Sequence, residues 1–224
     1  MTDPELRILD AAERLFADLG LAATSVRAIT LAARVNSAAV HYYYRSKAEL
    51  IVAVCTRRLE PMNRQRLEML DCCERLYASG QLPLEEVIEA FVVPMLRGNS
   101  SPRLVGRICT EPEGLLPEAV FARMNEISRR FDAAVRRALP DRNPADLCWA
   151  MHLIAGMLTR IMLSSAPSDA SSAAAGNQAA VEEVSFKIVT FACAGLRSLP
   201  ADRAGKKGSC VVPRAVIANS RHGV

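Results

Sequence analysis

Residues 25–50 read SVRAITLAARVNSAAVHYYYRSKAEL, and this stretch decides the fold. Ser25 is an N-cap residue, followed by Val26, Ile29 and Ala33 at the spacing of one helix face. Asn36 and Ser37 open a second short helix over 38–44. Ser46 and Glu49 stand at capping-box spacing, so a further helix opens at Lys47 with Leu50, Ile51 and Val54 as its apolar stripe. Two short helices joined by a tight turn predict a helix-turn-helix. Tyr42, Tyr43 and Tyr44 are consecutive, and successive helix positions rotate by about 100°, so the three cannot all face one small core. Tyr44 is assigned inward with Val26, Ile29, Val35, Val40, Phe16 and Val54. Ser37, Ala38, His41, Tyr42 and Tyr43 are left facing outward.

That outward set suits double-stranded DNA. A major groove about 12 Å wide admits one helix, and the second helix of such a motif lies in it while the first braces the backbone. Ser37 and His41 can hydrogen-bond base edges or phosphates. Ala38 allows close approach and can touch a thymine methyl. Tyr42 and Tyr43 offer hydroxyls to phosphates and flat rings to sugars or methyls. The helix starts at Ser25 and Lys47 carry free N–H groups and the positive end of a helix dipole, both of which favour a phosphate, and Lys47 adds its own charge.

Working outward, helical periodicity runs through the whole chain and strand-type alternation is nearly absent, so the fold is expected to be all-α. Asp3 caps a first helix with Pro4 at its first position and a stripe of Ile8, Leu9, Ala12, Leu15, Phe16 and Leu19, ended by Gly20. Pro61 is expected to break or bend the helix that starts at Lys47, and a domain boundary is placed there. Pro83 starts a helix with the stripe Leu84, Val87, Ile88, Phe91, Val92 and Met95, kinked at Pro94. A short helix around 103–110 and the loop EPEGLLPE follow. Next come a long helix from Pro117 (Val120, Phe121, Met124, Ile127, Phe131, Val135) and another capped by Asn143. Residues 164–180 are low-complexity and read as a mobile connection. A last helix over about 181–198 carries Val184, Ile188, Phe191 and Gly195 on one side. Residues 200–224 read as a disordered basic tail. The expected domains are 1–60 (helix-turn-helix), 61–199 (helical ligand-binding and dimerisation domain) and the tail.

Composition narrows the function. The 224 residues are 50% apolar and carry a net charge of +4, which suits a DNA binder without requiring one. The seven cysteines include no C-x-x-C pair and no metal spacing, so they read as reduced thiols in a cytoplasmic protein. No cofactor is expected. Leu147–Leu163 is the longest apolar run, but His152 and Arg160 interrupt it, and a buried helix is expected rather than a membrane span.

The stretch TSVRAITLAARVNSAAVHYYYRSKAEL resembles the DNA-binding domain of the TetR/AcrR family of transcriptional regulators. The likeness covers residues 5–55: Phe16 near the end of the first helix, T-S-V before the second, a hydrophobic-aromatic third helix, then S-K-x-x-L. The resemblance implies DNA contacts at Ser25, Ser37, Ala38, His41, Tyr42, Tyr43 and Lys47. The chain departs from the family in placing Arg34 where the turn usually has Gly, and His41 and Tyr44 where Tyr and Phe are commoner. The C-terminal half is loosely similar to the PsrA-like subgroup through FVVPMLR, VFARMNEISRRFDAAVRRALP and DLCWAMHLIAGMLTRIM.

What the resemblance implies there is a cavity for a small apolar effector, with an acyl compound as one candidate, and a homodimer made by the last two helices. Phe91, Met95, Ile108, Phe121, Met124, Trp149, Leu153 and Met157 are the residues expected to line that cavity, with Arg107, His152 or Arg160 as a carboxylate anchor. The helix 146–163 is apolar nearly all round, so a partner subunit is expected to cover part of it. The expected function is a ligand-responsive repressor that binds a near-palindromic operator as a dimer. Two other classes stay open at this point: a thiol hydrolase using Cys109, His152 and Glu111, and a helical protein-binding adaptor.

Overall fold

The computed structural model describes residues 3–97, 102–111, 114–164 and 178–202. These form nine α-helices and no strand, apart from an isolated bridge between Arg142 and Ala201. The basic tail beyond Asp202 and nearly all of the low-complexity connection lie outside the described residues.

The first three helices are α1 (Pro4–Leu19), α2 (Val26–Ala33) and α3 (Ser37–Tyr44). Each begins where a side chain can satisfy a free helical N–H. Asp3 accepts from Glu5 N at 3.0 Å, Ser25 Oγ from Ala28 N at 3.1 Å, and Asn36 Oδ1 from Ala39 N at 2.8 Å. α1 packs against α2, α3 and α4 (Lys47–Leu76), and Ile8, Phe16, Ile29, Val40, Tyr44, Leu50 and Val54 form the buried centre. Val26 and Val35 are only partly buried at its edge.

α4 is the longest element, at 30 residues. Ser46 Oγ accepts from Glu49 N at 3.1 Å to start it. The expected break at Pro61 does not occur, and the helix runs through to Leu76. A proline forfeits one backbone bond, worth about 3 kcal/mol in a helix interior with its ring clash. Contacts on both sides hold the helix against that cost. Arg57 pairs with Asp10 at 2.8 Å and Glu13 at 3.3 Å on α1, and Arg58 also pairs with Glu13. Beyond the proline, Leu59, Met62 and Leu70 are buried. Helix α5 (Leu84–Arg97) likewise continues through Pro94.

The second half is built on α4 and α5. α6 (Pro102–Thr110), α7 (Glu118–Ala138), α8 (Pro144–Leu163) and α9 (Gln178–Ser198) complete it. α7 lies along α4, tied by Arg123–Glu60 at 3.0 Å and by Arg130 to Asp71 at 2.6 Å and Glu74 at 3.0 Å. α9 packs on α5, with Arg197–Glu85 at 2.6 Å and Arg97–Glu182 at 3.2 Å at its two ends. α6 lies between α8 and α1. At Gly106 the approach of α8 is so close that a Cβ would stand 2.9 Å from Leu163 Cγ and 3.2 Å from Met162 Cβ.

Stripes on α1 and α9 differ from their sequence reading, and on α1 Leu19 is 53% exposed, beyond the buried row that ends at Phe16 and Ala17. On α9 the buried row is Val181, Val184, Ile188, Val189, Ala192, Cys193 and Leu196, and Phe191 is 68% exposed. Val184 and Ile188 fix the inward face, and Phe191 falls off it because the face is continued by Ala192 and Cys193.

Candidate functional site

The outward row of α3 stands as its spacing requires. Ser37, Ala38, His41, Tyr42 and Tyr43 are exposed, with Tyr42 at 80%, whereas Tyr44 is 6% exposed. The rings of Tyr42 and Tyr43 meet edge to face at 5.1 Å, so each limits the other's rotamers. Tyr44 hydroxyl lies 3.4 Å from Glu5 Oε1, and burial, then the Glu5 charge, push its phenol pKa above the ordinary range. It is therefore a neutral anchor, and it sets the angle at which its two neighbours leave the helix.

The turn between α2 and α3 depends on Arg34. Its φ of 54° and ψ of 47° are left-handed, and its N–H closes the end of α2 on the carbonyls of Thr30 and Leu31. A side chain there costs about 1–2 kcal/mol over glycine. Arg45, also at positive φ (52°) but with ψ of −40°, ends α3 in a different conformation, its N–H donating to the His41 carbonyl. Ser25 is exposed at the start of α2. Lys47 is half-buried at the start of α4, and its Nζ donates to Ala22 O at 3.4 Å, which fixes the ammonium beside the loop that precedes α2.

In the second half the structure scatters the residues expected around an effector. Phe91, Met95 and Ile108 are buried in the core. Phe121, Met124 and Met157 are half-buried. Trp149 and Leu153, the latter 71% exposed, stand on the outer face of α8 and do not join Phe91 and Met95, because α8 buries Met151, Ile154 and Leu158 instead. Among the described residues one cleft of about 70 Å³ lies between α4 and the start of α7, walled by Cys55, Leu59, Asn63, Val120 and Met124, with Glu60 and Arg123 also on its lining. That volume holds a few waters and is well short of the roughly 300 Å³ of a typical small-molecule pocket.

None of the three expected anchors is the most unusual cation of this half. Arg160 and His152 are exposed, and His152 Nδ1 is 2.7 Å from the Cys148 carbonyl. Arg107 keeps its Nε buried without a partner. Arg66, which sequence reasoning missed, is 7% exposed. Its guanidinium lies over the rings of Phe91 at 4.4 Å and Phe131 at 5.0 Å. Its side chain's one hydrogen bond is to Asn63 Oδ1 at 3.2 Å, its Nε has no partner, and no carboxylate pairs with it among the described residues. Burial draws its pKa down to about 10, so it stays charged at neutral pH. The signal was present in the sequence: Leu59, Met62, Arg66, Leu70 and Cys73 form one helical stripe, with a charge in the middle.

The hydrolase arrangement is not assembled. Glu111 Oε1 accepts from Leu21 N at 2.8 Å. The Cys109 thiol is accessible by area, yet the protein crowding it raises its pKa and Arg66 only partly offsets this. A nucleophilic thiol needs the opposite shift.

Comparison with known proteins agrees with this geometry. A family described as "Bacterial regulatory proteins, tetR family" matches residues 8–54, and one described as "Tetracyclin repressor-like, C-terminal domain" matches residues 89–195. No curated protein matches the sequence. Among solved structures, a TetR-family regulatory protein from Rhodococcus RHA1 is 20% identical, with 90% of this chain and 99% of that chain covered and a TM-score of 0.58. AibR, solved with isovaleryl coenzyme A and operator DNA, is 21% identical over 84% of this chain and 97% of its own, with a TM-score of 0.56. NalD of Pseudomonas aeruginosa, the secondary repressor of the MexAB-OprM multidrug efflux pump, is 21% identical over 82% and 94%, with a TM-score of 0.52. At these identities the likeness is one of fold. None of these matches singles out the PsrA-like subgroup.

Proposed function

Starting from the fact that this chain belongs to the TetR family of bacterial regulatory proteins, we propose that it is a ligand-responsive repressor that binds a near-palindromic operator as a homodimer. It is a transcriptional regulator with an N-terminal DNA-binding domain and not an enzyme. The observation that carries the reading is the division of the tyrosine run: Tyr44 locked into the core, Tyr42 and Tyr43 held outward with His41 and Ser37 on the same short helix. In this reading Ser37, Ala38, His41, Tyr42 and Tyr43 enter the major groove, and Ser25 and Lys47 hold phosphates on either side. Residues 1–60 form the DNA-reading domain and 61–199 the effector and dimer domain, with α4 shared between them.

Dimerisation has its own support. Trp149 and Leu153 on α8 and Phe186 and Phe191 on α9 are exposed in the single chain. Large apolar side chains clustered on two neighbouring helices mark an interface. α8 is also long and apolar enough to cross a membrane, but it packs one face into the core and carries His152 and Arg160, which fits a subunit interface in a cytoplasmic protein better. A two-fold dimer sets two recognition helices about one DNA turn apart or somewhat more. A small apolar effector between α4 and α7 would widen the cleft, shift α4 and release DNA by a population shift.

The test is binding to DNA flanking the protein's own gene, followed by fluorescence anisotropy across a salt series. Specific binding is expected, with a log–log salt slope reflecting several phosphate contacts. Tyr42→Ala is expected to weaken it about tenfold while stability changes by less than about 0.5 kcal/mol, as for an exposed side chain. Unchanged operator affinity in Tyr42→Ala would remove α3 as the reading helix.

A further inference from the structure

A buried arginine without a counter-ion is an unstable way to fill a core. Its desolvation is costly, and cation–π contact with two rings returns only part of that cost. Replacing such a charge with an apolar side chain commonly stabilises a protein. Arg66 sits in this situation, its guanidinium carbon close over the rings of Phe91 and Phe131, with Asn63 Oδ1 as its side-chain hydrogen-bond acceptor among the described residues. Asn63 also lines the cleft between α4 and α7. The amide oxygen therefore occupies the place of an anion's oxygen, at the inner wall of the one described cavity that opens between these helices.

We propose that Arg66 is the binding site for the carboxylate of a small organic acid with an apolar body, which enters between α4 and α7 and displaces Asn63 from the guanidinium. The proposal rests on the ligand-responsive reading above and specifies its effector class. The chemistry is matched on each side. The two rings fix the guanidinium carbon 4.4 Å and 5.0 Å from their centroids, and a carboxylate meets the edge of a guanidinium with two parallel N–H···O bonds. The apolar body finds Leu59, Val120 and Met124. The ion pair Arg123–Glu60 stands at the cleft, where its opening admits the ligand. The 70 Å³ present accommodates little beyond a carboxylate group, so binding the remainder separates α7 from α4.

Three probe pairs test this with full-length protein at neutral pH: benzoate with benzyl alcohol, hexanoate with 1-hexanol, and octanoate with 1-octanol. Binding is read by calorimetry and by the shift in melting temperature, and DNA affinity is followed in parallel. At least one acid is expected to bind at least about thirtyfold more tightly than its alcohol, the equivalent of losing a charge-assisted hydrogen bond. Arg66→Met is expected to lose that preference while melting at or above the wild-type temperature without ligand. Asn63→Asp supplies an internal carboxylate to Arg66. It is expected to raise the melting temperature and to abolish acid binding.

Acids that bind no better than alcohols, or an Arg66→Met protein that binds the acid within threefold of wild type, overturn the proposal. So does Asn63→Asp melting lower than wild type, because it then behaves as an ordinary buried charge. An alcohol that releases DNA as well as its acid does keeps the ligand-responsive reading and removes the anion site. An acid that binds through Arg66 and leaves DNA affinity unchanged keeps the anion site and removes the ligand-responsive reading.

Discussion

Gly106 is a point of close approach between α6 and α8, and replacing it with alanine weighs two opposed effects. Alanine in a helix interior gains about 1 kcal/mol over glycine. Against this, the new Cβ would stand 2.9 Å from Leu163 Cγ, 3.1 Å from Leu163 Cδ2 and 3.2 Å from Met162 Cβ. Leu163 can swing partly aside, since it is half-buried near the end of α8, but Met162 is buried and its Cβ moves only with the backbone. Overpacking of this kind costs about 1–3 kcal/mol. The net expectation for Gly106→Ala is a loss of about 1 kcal/mol, read from urea midpoints at unchanged m-value. The cause is isolated by a double-mutant cycle with Leu163→Ala, which removes the nearest atoms. The double mutant is expected to be more stable than the sum of the single effects by about 1 kcal/mol. Additivity within about 0.5 kcal/mol, or a stabilised Gly106→Ala protein, would refute the argument that close approach keeps this residue a glycine.

Three further outcomes follow from features already described. Arg34→Gly relieves the left-handed strain and is expected to stabilise by about 1 kcal/mol, or 2–4 °C in Tm, whereas Arg34→Lys changes little; equal Tm values for all three proteins would contradict this. Glu111→Ala leaves the buried Leu21 N–H without its 2.8 Å acceptor, at a cost of about 1–2 kcal/mol, and faster amide exchange at Leu21 is the direct readout. Burial pushes the Cys55 thiol up to about 12, from about 8.5 for a free thiol. Between these values the folded protein keeps a proton that the unfolded chain has lost, so stability falls as pH rises. Urea midpoints between pH 9 and 10 are expected to decline less in Cys55→Ala than in wild type, since the Arg66 titration near 10 is common to both proteins.

The N-terminal half was legible residue by residue because its determinants are local. Asp3, Ser25, Asn36 and Ser46 are caps whose partners lie two or three residues away, and the inward turn of Tyr44 follows from helix rotation alone. The second half depends on which helix lies against which, and periodicity does not carry that. Trp149 and Leu153 satisfied the apolar pattern equally well for a cavity or for an outer face, and the packing of α8 on α6 chose the outer face. Phe191 was misplaced for the same reason. Pro61 shows a local rule losing to tertiary contact: ion pairs to α1 before it and a buried stripe after it keep α4 intact. Arg66 was readable as a charge inside that stripe, but only the two rings from α5 and α7 reveal that it has no acid beside it.

That unbroken α4 determines what kind of signal can travel along it. Lys47 and Arg66 lie on one rod, separated by roughly 28 Å at the rise of an α-helix. A continuous helix barely changes length, so in the proposed reading an event at Arg66 would reach Lys47 as a change of angle. A tilt of about 5° about the Arg66 end moves the other tip by roughly 2.5 Å over that length. Hydrogen bonds to phosphate tolerate only about 0.5 Å of spread in donor–acceptor distance. In the proposed reading, a small tilt of α4 would therefore be sufficient to carry Lys47 out of reach of a phosphate bound at its start, and continuity of the helix rather than a hinge is what would carry the response.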